Sequence, residues 1–344
     1  MKEIMTVTGP VESGSCGMVL SHEHMFIDLR NQASAQSGER AVSRSDRNSL
    51  MKDPYCLKDN LLLNDFNAAA AEAEDLLKYG CDTVVDCTVN GIGRDPVRLR
   101  RLAEKTGLNI VAGCGWYTDD THTEEFRKKT ADELAAELIS EIRNGVDNTG
   151  IRPGIIGEIG TGREITSGEW KALDAAAETQ KVTGLSLMVH IYPWSENGIS
   201  VVRRLTSAGV KPERIVICHS DVQPVWKYIQ ALLAAGVFVE FDNFGKEFHP
   251  EDGGFSAGAF ASDRDRVKLA AKIIRSGFGA QLLLTNDICL KCMLRNFGGE
   301  GYSHIFKNVI PRFSECGIPE DFIRKTVLHD NPIRMLTGNA REVV

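Results

Sequence analysis

The stretch GMVLSHEH, residues 17–24, begins with apolar residues and ends with two histidines two positions apart. We predict that it is a β-strand. Alternate residues of a strand point to the same face, so His22 and His24 would present both imidazoles to one spot, with Glu23 pointing the opposite way. A His-x-His pair often arises by chance, so it indicates a metal only when other ligands lie nearby.

Seven further apolar runs follow, separated by longer helical patterns. This alternation is typical of repeated βα units on a parallel sheet. Eight units predict a (β/α)8 TIM barrel of the α/β class with long loops over its C-terminal face. The eight predicted strands are Gly17 to His24, Cys81 to Thr88, Asn109 to Tyr117, Gly154 to Gly160, Ser186 to Tyr192, Arg214 to Asp221, Val237 to Gly245 and Gln281 to Asp287.

The intervening segments carry helix signals. Thr130 to Asn144 begins with a Thr-x-x-Glu capping box and stops at Gly145. Three other helices are each followed by a glycine suited to a left-handed terminus. They are predicted over Asn67 to Tyr79, Gly168 to Thr183 and Pro224 to Ala235.

The composition is that of an ordinary globular chain. The 344 residues are 42% hydrophobic and 25% charged, and we expect one barrel domain over residues 1–344. A net charge of −7 without a basic stripe argues against nucleic acid as a partner. No leader pattern and no apolar run of roughly 18 residues is present, so we expect a cytoplasmic protein without membrane contact. The nine cysteines, odd in number, are expected to be reduced.

Two segments depart from the βα repeat. Residues 31–60 are polar and predict a long loop above the barrel mouth. Residues 247–262 include Gly253, Gly254 and Gly258 with Phe255 and Phe260, and could form a lid over a pocket, or a plain surface loop.

Six candidate metal ligands fall at the carboxyl ends of the predicted strands, where barrel enzymes place their chemistry. A lone histidine in an apolar run is usually a hydrogen-bonded core residue, but convergence at one end argues against that alternative. A carboxylate inside an apolar strand is costly unless it is paired or binds a cation. The six residues are His22, His24, Glu158, His190, His219 and Asp287.

These residues, with the motifs around them, resemble the phosphotriesterase family of the amidohydrolase superfamily over essentially the whole chain. The resemblance is greatest to its phosphotriesterase-related branch, which is associated with hydrolysis of N-acetyl amino compounds such as N-acetyltaurine. The motifs that carry it are SHEH at 21–24, NGIGRD at 90–95, GEIG at 157–160, His190, CHSD at 218–221, ND at 286–287 and GGEGY at 298–302.

The resemblance implies a binuclear metal centre, usually of zinc. His22, His24 and Asp287 would hold the buried metal, and His190 and His219 the more exposed one. Histidine and carboxylate ligands suit Zn²⁺, although Mn²⁺ or Co²⁺ could occupy the same site. The predicted cofactors are therefore two divalent metal ions.

Glu158 occupies the bridging position, where many family members carry a carboxylated lysine. This difference argues against efficient organophosphate turnover. Two bridged cations would lower the pKa of a shared water, and the resulting hydroxide is the expected nucleophile. Asp287 could take its proton and deliver it to the leaving group, which makes Asp287 the predicted catalytic residue.

The leading functional hypothesis is a metal-dependent hydrolase of a small amide, ester or lactone. A phosphotriesterase acting on organophosphate triesters is the alternative enzyme. A binding protein that kept the barrel and the metals but lost turnover is the third hypothesis, and the complete ligand set argues against it.

Substrate contacts are expected from the loops at the strand ends. Trp116 and Tyr117 could pack the acyl or leaving group, and Lys246 could meet an anion. The alternatives are that the aromatics cap the core, that the lysine is solvated, and that Arg94 forms a structural ion pair. A small-molecule substrate is the expected partner, and the family resemblance adds the expectation of a homodimer.

Overall fold

An eight-stranded parallel sheet forms the centre of the molecule, with its strands following one another in chain order. The computed structural model describes residues 2–250 and 258–337. The sheet curls into a nearly closed barrel surrounded by helices, which confirms the (β/α)8 prediction. The barrel strands are β1 (Met18–Glu23), β2 (Cys81–Asp86), β3 (Asn109–Cys114), β4 (Ile155–Gly160), β5 (Leu187–His190), β6 (Ile215–Ile217), β7 (Phe238–Phe241) and β8 (Leu282–Leu284).

Each predicted strand run contains one of these strands. The predicted carboxyl end of β4 is correct, but the other predicted carboxyl ends lie too far along the chain. β6 ends before His219 and β8 ends before Asp287. The φ angles of His219 and Asp287 are +57° and +48°. A left-handed residue turns the chain out of the extended conformation, so the sheet hydrogen bonds stop before it. The predicted strand ends at Asp221 and Asp287 were therefore wrong.

Apolar side chains fill the barrel interior. Every strand contributes one buried residue to a single cluster, and the N-terminal Ile4 and the C-terminal Met335 join it. The interior is thus a packed core, as barrel interiors of this kind are. The eight strand residues are Val19, Val85, Val111, Ile155, Met188, Val216, Phe238 and Leu283.

Helices surround the sheet, and the predicted ones lie within two residues of their observed bounds. Thr130 begins α5 with the predicted capping box, and Gly184 ends α6 with a φ of +74°. The α-helices of the described residues are α1 (Arg47–Lys52), α2 (Phe66–Leu77), α3 (Pro96–Thr106), α4 (Glu124–Lys128), α5 (Ala131–Asn144), α6 (Ser167–Thr183), α7 (Gly198–Ser207), α8 (Trp226–Ala234), α9 (Asp263–Ile273), α10 (Ile310–Glu315), α11 (Glu320–Phe322) and α12 (Asn331–Thr337).

The remaining segments cover the two ends of the barrel. Two antiparallel pairs lie outside the barrel sheet: Glu3–Thr6 with Gly9–Glu12, and Ile27–Asp28 with Leu62–Leu63. The segment 31–60 is more ordered than the predicted loop, because it contains α1 and short 3-10 turns. The lid predicted over 247–262 includes residues 251–257, which lie outside the described residues. Within 2–250 and 258–337, no helix is long and apolar enough to cross a membrane.

Candidate metal centre

Glu158, on β4, lies at the centre of the six predicted ligands. Its Oε1 is 3.4 Å from His24 Nε2. Its Oε2 is 3.4 Å from both His190 Nδ1 and His219 Nε2, and 3.5 Å from His22 Nε2. The carboxylate therefore reaches the two histidines at the end of β1, the last residue of β5 and the histidine that follows β6. This is the geometry that a bridging ligand requires.

Asp287 completes the set from the loop after β8. Its Oδ1 lies 3.2 Å from His24 Nε2 and 3.9 Å from His22 Nε2. Five of the six residues form two overlapping groups with Glu158 in common. One contains His22 and His24, and the other contains His190 and His219. Asp287 groups with His22 and His219.

Three polar side chains hold the imidazoles from behind. His22 Nδ1 lies 3.1 Å from Glu240 Oε2, and His219 Nδ1 lies 2.9 Å from Asp242 Oδ1. His24 Nδ1 lies 2.9 Å from the hydroxyl of Thr88. A partner on Nδ1 lets Nε2 face the centre, which is the usual arrangement around histidines that bind metals. There His219 Nε2 lies 2.7 Å from His190 Nδ1.

Sequence reasoning missed Glu240 and Asp242. Both are fully buried, and they belong to the run FVEFD on and just after β7. The position of Glu240 in an apolar strand could have indicated its role. A carboxylate there needs a partner, which is the argument that selected Glu158.

Unsatisfied buried atoms provide a direct test of whether these residues suit a metal. Buried side-chain atoms normally have hydrogen-bond partners. Three buried atoms at the centre have none: His22 Nε2, Glu158 Oε2 and Asp287 Oδ1. An imidazole nitrogen and two carboxylate oxygens are good donors for divalent cations such as Zn²⁺. The donor set therefore fits a pair of such ions.

The electrostatics of the centre also favour cations. Burial disfavours the charged form of His24, but Asp287 and Glu158 outweigh burial and raise its pKa to about 9. Burial acts the same way on His219, and Asp242 outweighs it and raises the pKa of His219 to about 10. The carboxylates that favour a proton on these rings would also favour a metal ion in its place.

The predicted substrate residues occupy different environments. Tyr117 directs its hydroxyl to His190 Nδ1 at 3.2 Å. Lys246 is buried rather than solvated, and its ammonium donates to Asp287 Oδ2, so the anion it meets is part of the protein. Trp116 packs on Phe126 with ring centroids 5.3 Å apart and does not line the cavity, which favours its alternative role in the core.

Arg94 forms an ion pair, as the alternative interpretation had it. Its guanidinium donates to both carboxylate oxygens of Glu141 at 2.9 Å and to Asp147 at 3.0 Å. The side chain is almost fully buried. It therefore braces α5 against the loop after β2 and does not face the cavity.

A cavity of about 350 Å³ opens above the metal centre at the carboxyl end of the barrel. Glu158, Asp287 and three of the four histidines line its floor. This volume is in the range of sites that enclose small organic molecules.

Comparison with known proteins identifies the family of this chain. The sequence profile of the Phosphotriesterase family matches residues 2–336. The chain belongs to the phosphotriesterase family. As a member it is a hydrolase, and its cluster of histidines and carboxylates is a candidate site for the family's binuclear metals.

Relatives in this family carry several activities in their names. An N-acetyltaurine hydrolase from Tetraodon nigroviridis is 36% identical over 97% of this chain and 98% of its own. The structure of a resiniferatoxin-binding protein from Rhodobacter sphaeroides is similar with a TM-score of 0.93 and 34% identity, covering 98% of this chain and 95% of its own. A mutant PTE-like lactonase from Deinococcus radiodurans has a TM-score of 0.77 and 27% identity, with 97% and 99% covered.

Proposed function

We propose that this chain is a binuclear zinc-dependent hydrolase of a small carboxylic amide, ester or lactone. The observation that carries the proposal is Glu158, a buried carboxylate between two pairs of histidines with an oxygen that lacks a hydrogen-bond partner. The proposed metal ligands are His22, His24, Glu158, His190, His219 and Asp287.

Two divalent ions held there would supply a water of lowered pKa and an electrophile for the scissile carbonyl. The two carboxylate oxygens of Asp287 have different partners. Oδ1 faces His24, whereas Oδ2 accepts from Lys246 at the cavity wall. In this arrangement Asp287 is placed to take up a proton and pass it to the leaving group, with Lys246 holding the carboxylate in position.

The names of the relatives support carbonyl substrates. An N-acetyltaurine hydrolase cleaves an amide and a lactonase cleaves a cyclic ester, so both attack a carboxylic carbonyl. The bridging carboxylate Glu158, in place of a carboxylated lysine, argues against efficient organophosphate hydrolysis. An N-acyl amino compound or a lactone is therefore our proposed substrate.

A ligand-binding role is the second candidate. The observation in its favour is the strong likeness to a resiniferatoxin-binding protein, whose name describes binding. The complete ligand set favours the hydrolase.

Elemental analysis of the purified protein, paired with hydrolysis assays before and after chelation, tests the proposal. The assays would cover lactones, N-acyl amino compounds and aryl phosphotriesters. We expect about two metals per chain and a carbonyl-cleaving activity that chelation removes. His190→Asn should lower both, while His329→Asn, a matched change on an outer helix, should lower neither. Fewer than one metal per chain after incubation with Zn²⁺ or Mn²⁺ would contradict the proposal.

A further inference from the structure

Aromatic side chains form one continuous wall of the cavity. Tyr192 and Trp194 follow β5, and Phe248 and Phe260 come from the segment after β7; all four line the cavity. The ring centroids are 5.6 Å apart for Tyr192 and Trp194, 5.3 Å for Trp194 and Phe260, and 5.4 Å for Phe260 and Phe248. We call these four residues the aromatic wall.

Other residues that line the cavity are also apolar or aromatic. They are Ile27, Leu29, Leu290, Tyr55 and Tyr117. A group held between these side chains and the aromatic wall would leave water for an environment of rings and methyl groups. Burial there favours an apolar, flat group over a polar one.

The charges of the cavity also favour an uncharged group. Apart from the histidines of the metal centre, Lys246 is the one cationic side chain among the described lining residues, and it already donates to Asp287. At the rim, Asp120 accepts hydrogen bonds from Asn31 and Gln32 and places a negative charge near the entrance. A sulfonate or carboxylate would therefore lack a free cationic partner against the aromatic wall and would be repelled by Asp120.

We propose that the aromatic wall is a subsite for a neutral aromatic group of the substrate. The preferred substrate is then an aryl-bearing amide or ester rather than a small anionic N-acetyl amino compound. The identity of the cleaved bond rests on the proposed function, whereas the subsite is a property of binding alone.

Two amides that differ in one group test the substrate preference. N-acetyltaurine and N-acetyl-2-phenylethylamine share the acetyl amide and the two-carbon spacer, and they differ only in sulfonate against phenyl. With metal-loaded protein we expect kcat/KM to be at least about tenfold higher for the phenyl compound, as burial of one aromatic ring allows. A preference for N-acetyltaurine would overturn the proposal.

Variants of the aromatic wall test whether these residues cause the preference. Trp194→Ala should reduce the ratio of the two kcat/KM values to near one, mainly through KM for the phenyl compound, and Trp194→Phe should restore most of it. Trp226→Ala is the matched control, because Trp226 begins α8 under Lys272 and lies outside the cavity lining. A ratio that Trp194→Ala leaves unchanged would also overturn the proposal.

Binding of a ketone that cannot be hydrolysed separates the subsite from the reaction. In 4-phenylbutan-2-one a methyl ketone replaces the acetyl amide, and butan-2-one lacks the ring. Calorimetry should show tighter binding of the phenyl ketone, lost in Trp194→Ala and kept in Trp226→Ala. If neither amide nor any lactone or N-acyl amino compound of the assays above is cleaved but this pattern holds, the hydrolase proposal fails and the subsite stands. If N-acetyltaurine is cleaved and both ketones bind equally weakly, the subsite fails and the hydrolase stands.

Discussion

Buried charge at single residues is the clearest indication of function in this chain. Glu158 and Asp287 are both buried, and each has an oxygen without a hydrogen-bond partner. Such groups destabilise a protein unless a cation or a donor compensates them. Their position beside four imidazoles is the reason that we propose a metal ion as the compensating group.

Removal of the bridging charge should empty at least one of the two metal positions. Glu158→Gln keeps the size of the side chain but loses the anion that both histidine groups share. We expect elemental analysis to show a fall from about two metals per chain to one or fewer, and turnover to drop by at least about 100-fold. Glu178→Gln, on the exposed side of α6, serves as the control. Retention of two metals in Glu158→Gln would contradict the bridging role.

Metal affinity should fall as the pH falls. The pKa values of His24 and His219 are raised to about 9 and about 10, so both rings carry a proton at neutral pH before a metal binds. A metal binds the neutral ring, so each ring weakens Zn²⁺ binding by about tenfold for each pH unit below its pKa. Calorimetry in buffers of different ionisation enthalpy should detect protons released on binding at pH 7. Binding without proton release would show that the rings are neutral beforehand.

At the scale of elements, the first strand and the loop after the last strand are joined by one side chain. Glu23, at the end of β1, accepts hydrogen bonds from the Thr285 hydroxyl at 2.7 Å and from the backbone N–H groups of Asn286 and Ile288 at 2.9 Å and 2.8 Å. These donors flank Asp287, which has a left-handed backbone. Glu23 therefore joins the end of β1 to the loop after β8 and positions a proposed metal ligand.

Weakening of the hydrogen bonds between Glu23 and the loop after β8 should affect both stability and metal binding. Glu23→Gln removes the charge and one acceptor from a buried set of hydrogen bonds. We expect the free energy of unfolding in urea to fall by about 2 kcal/mol and metal affinity to fall about tenfold or more. Glu12→Gln, at an exposed strand position, should change neither. A loss of stability with metal affinity unchanged would leave Glu23 a structural role only.

At the scale of the whole molecule, the centre joins distant parts of the chain. Its proposed ligands come from β1 and β4 and from the ends of β5, β6 and β8, so bound metals would link strands around the barrel. Ions that bind the native state and not the unfolded chain stabilise the native state.

Chelation should therefore lower the thermal stability and leave the fold intact. At a free metal concentration about 1,000 times Kd, the stabilisation is about 4 kcal/mol, so we expect Tm to fall by several degrees when the metals are removed. Circular dichroism should show unchanged helix and strand content at 25 °C, because the apolar interior does not depend on the ions. Recovery of Tm on addition of Zn²⁺ is the control, and a Tm indifferent to chelation would contradict the linkage.

Sequence reasoning predicted the elements better than their ends. The start of α5 at Thr130 and the end of α6 at Gly184 were predicted correctly, because a capping box and a terminal glycine are local signals. The ends of β6 and β8 were placed too late because the predicted runs continue through polar residues to Asp221 and Asp287, whereas the strands end at Ile217 and Leu284. The left-handed turns at His219 and Asp287 depend on carboxylates from distant strands, and no local pattern reports them.

The sequence by itself determined the barrel and the chemical type of its centre. Eight apolar runs alternate with helices, and polar residues lie at the ends of the runs. Both features are properties of neighbouring positions along the chain. Only the tertiary structure decided how those residues meet. It placed Glu158 between two pairs of histidines, put Glu240 and Asp242 behind the rings and buried Lys246 against Asp287. It also brought four aromatic rings from two segments into one wall. These contacts join residues far apart in the chain, so their distances depend on closure of the barrel.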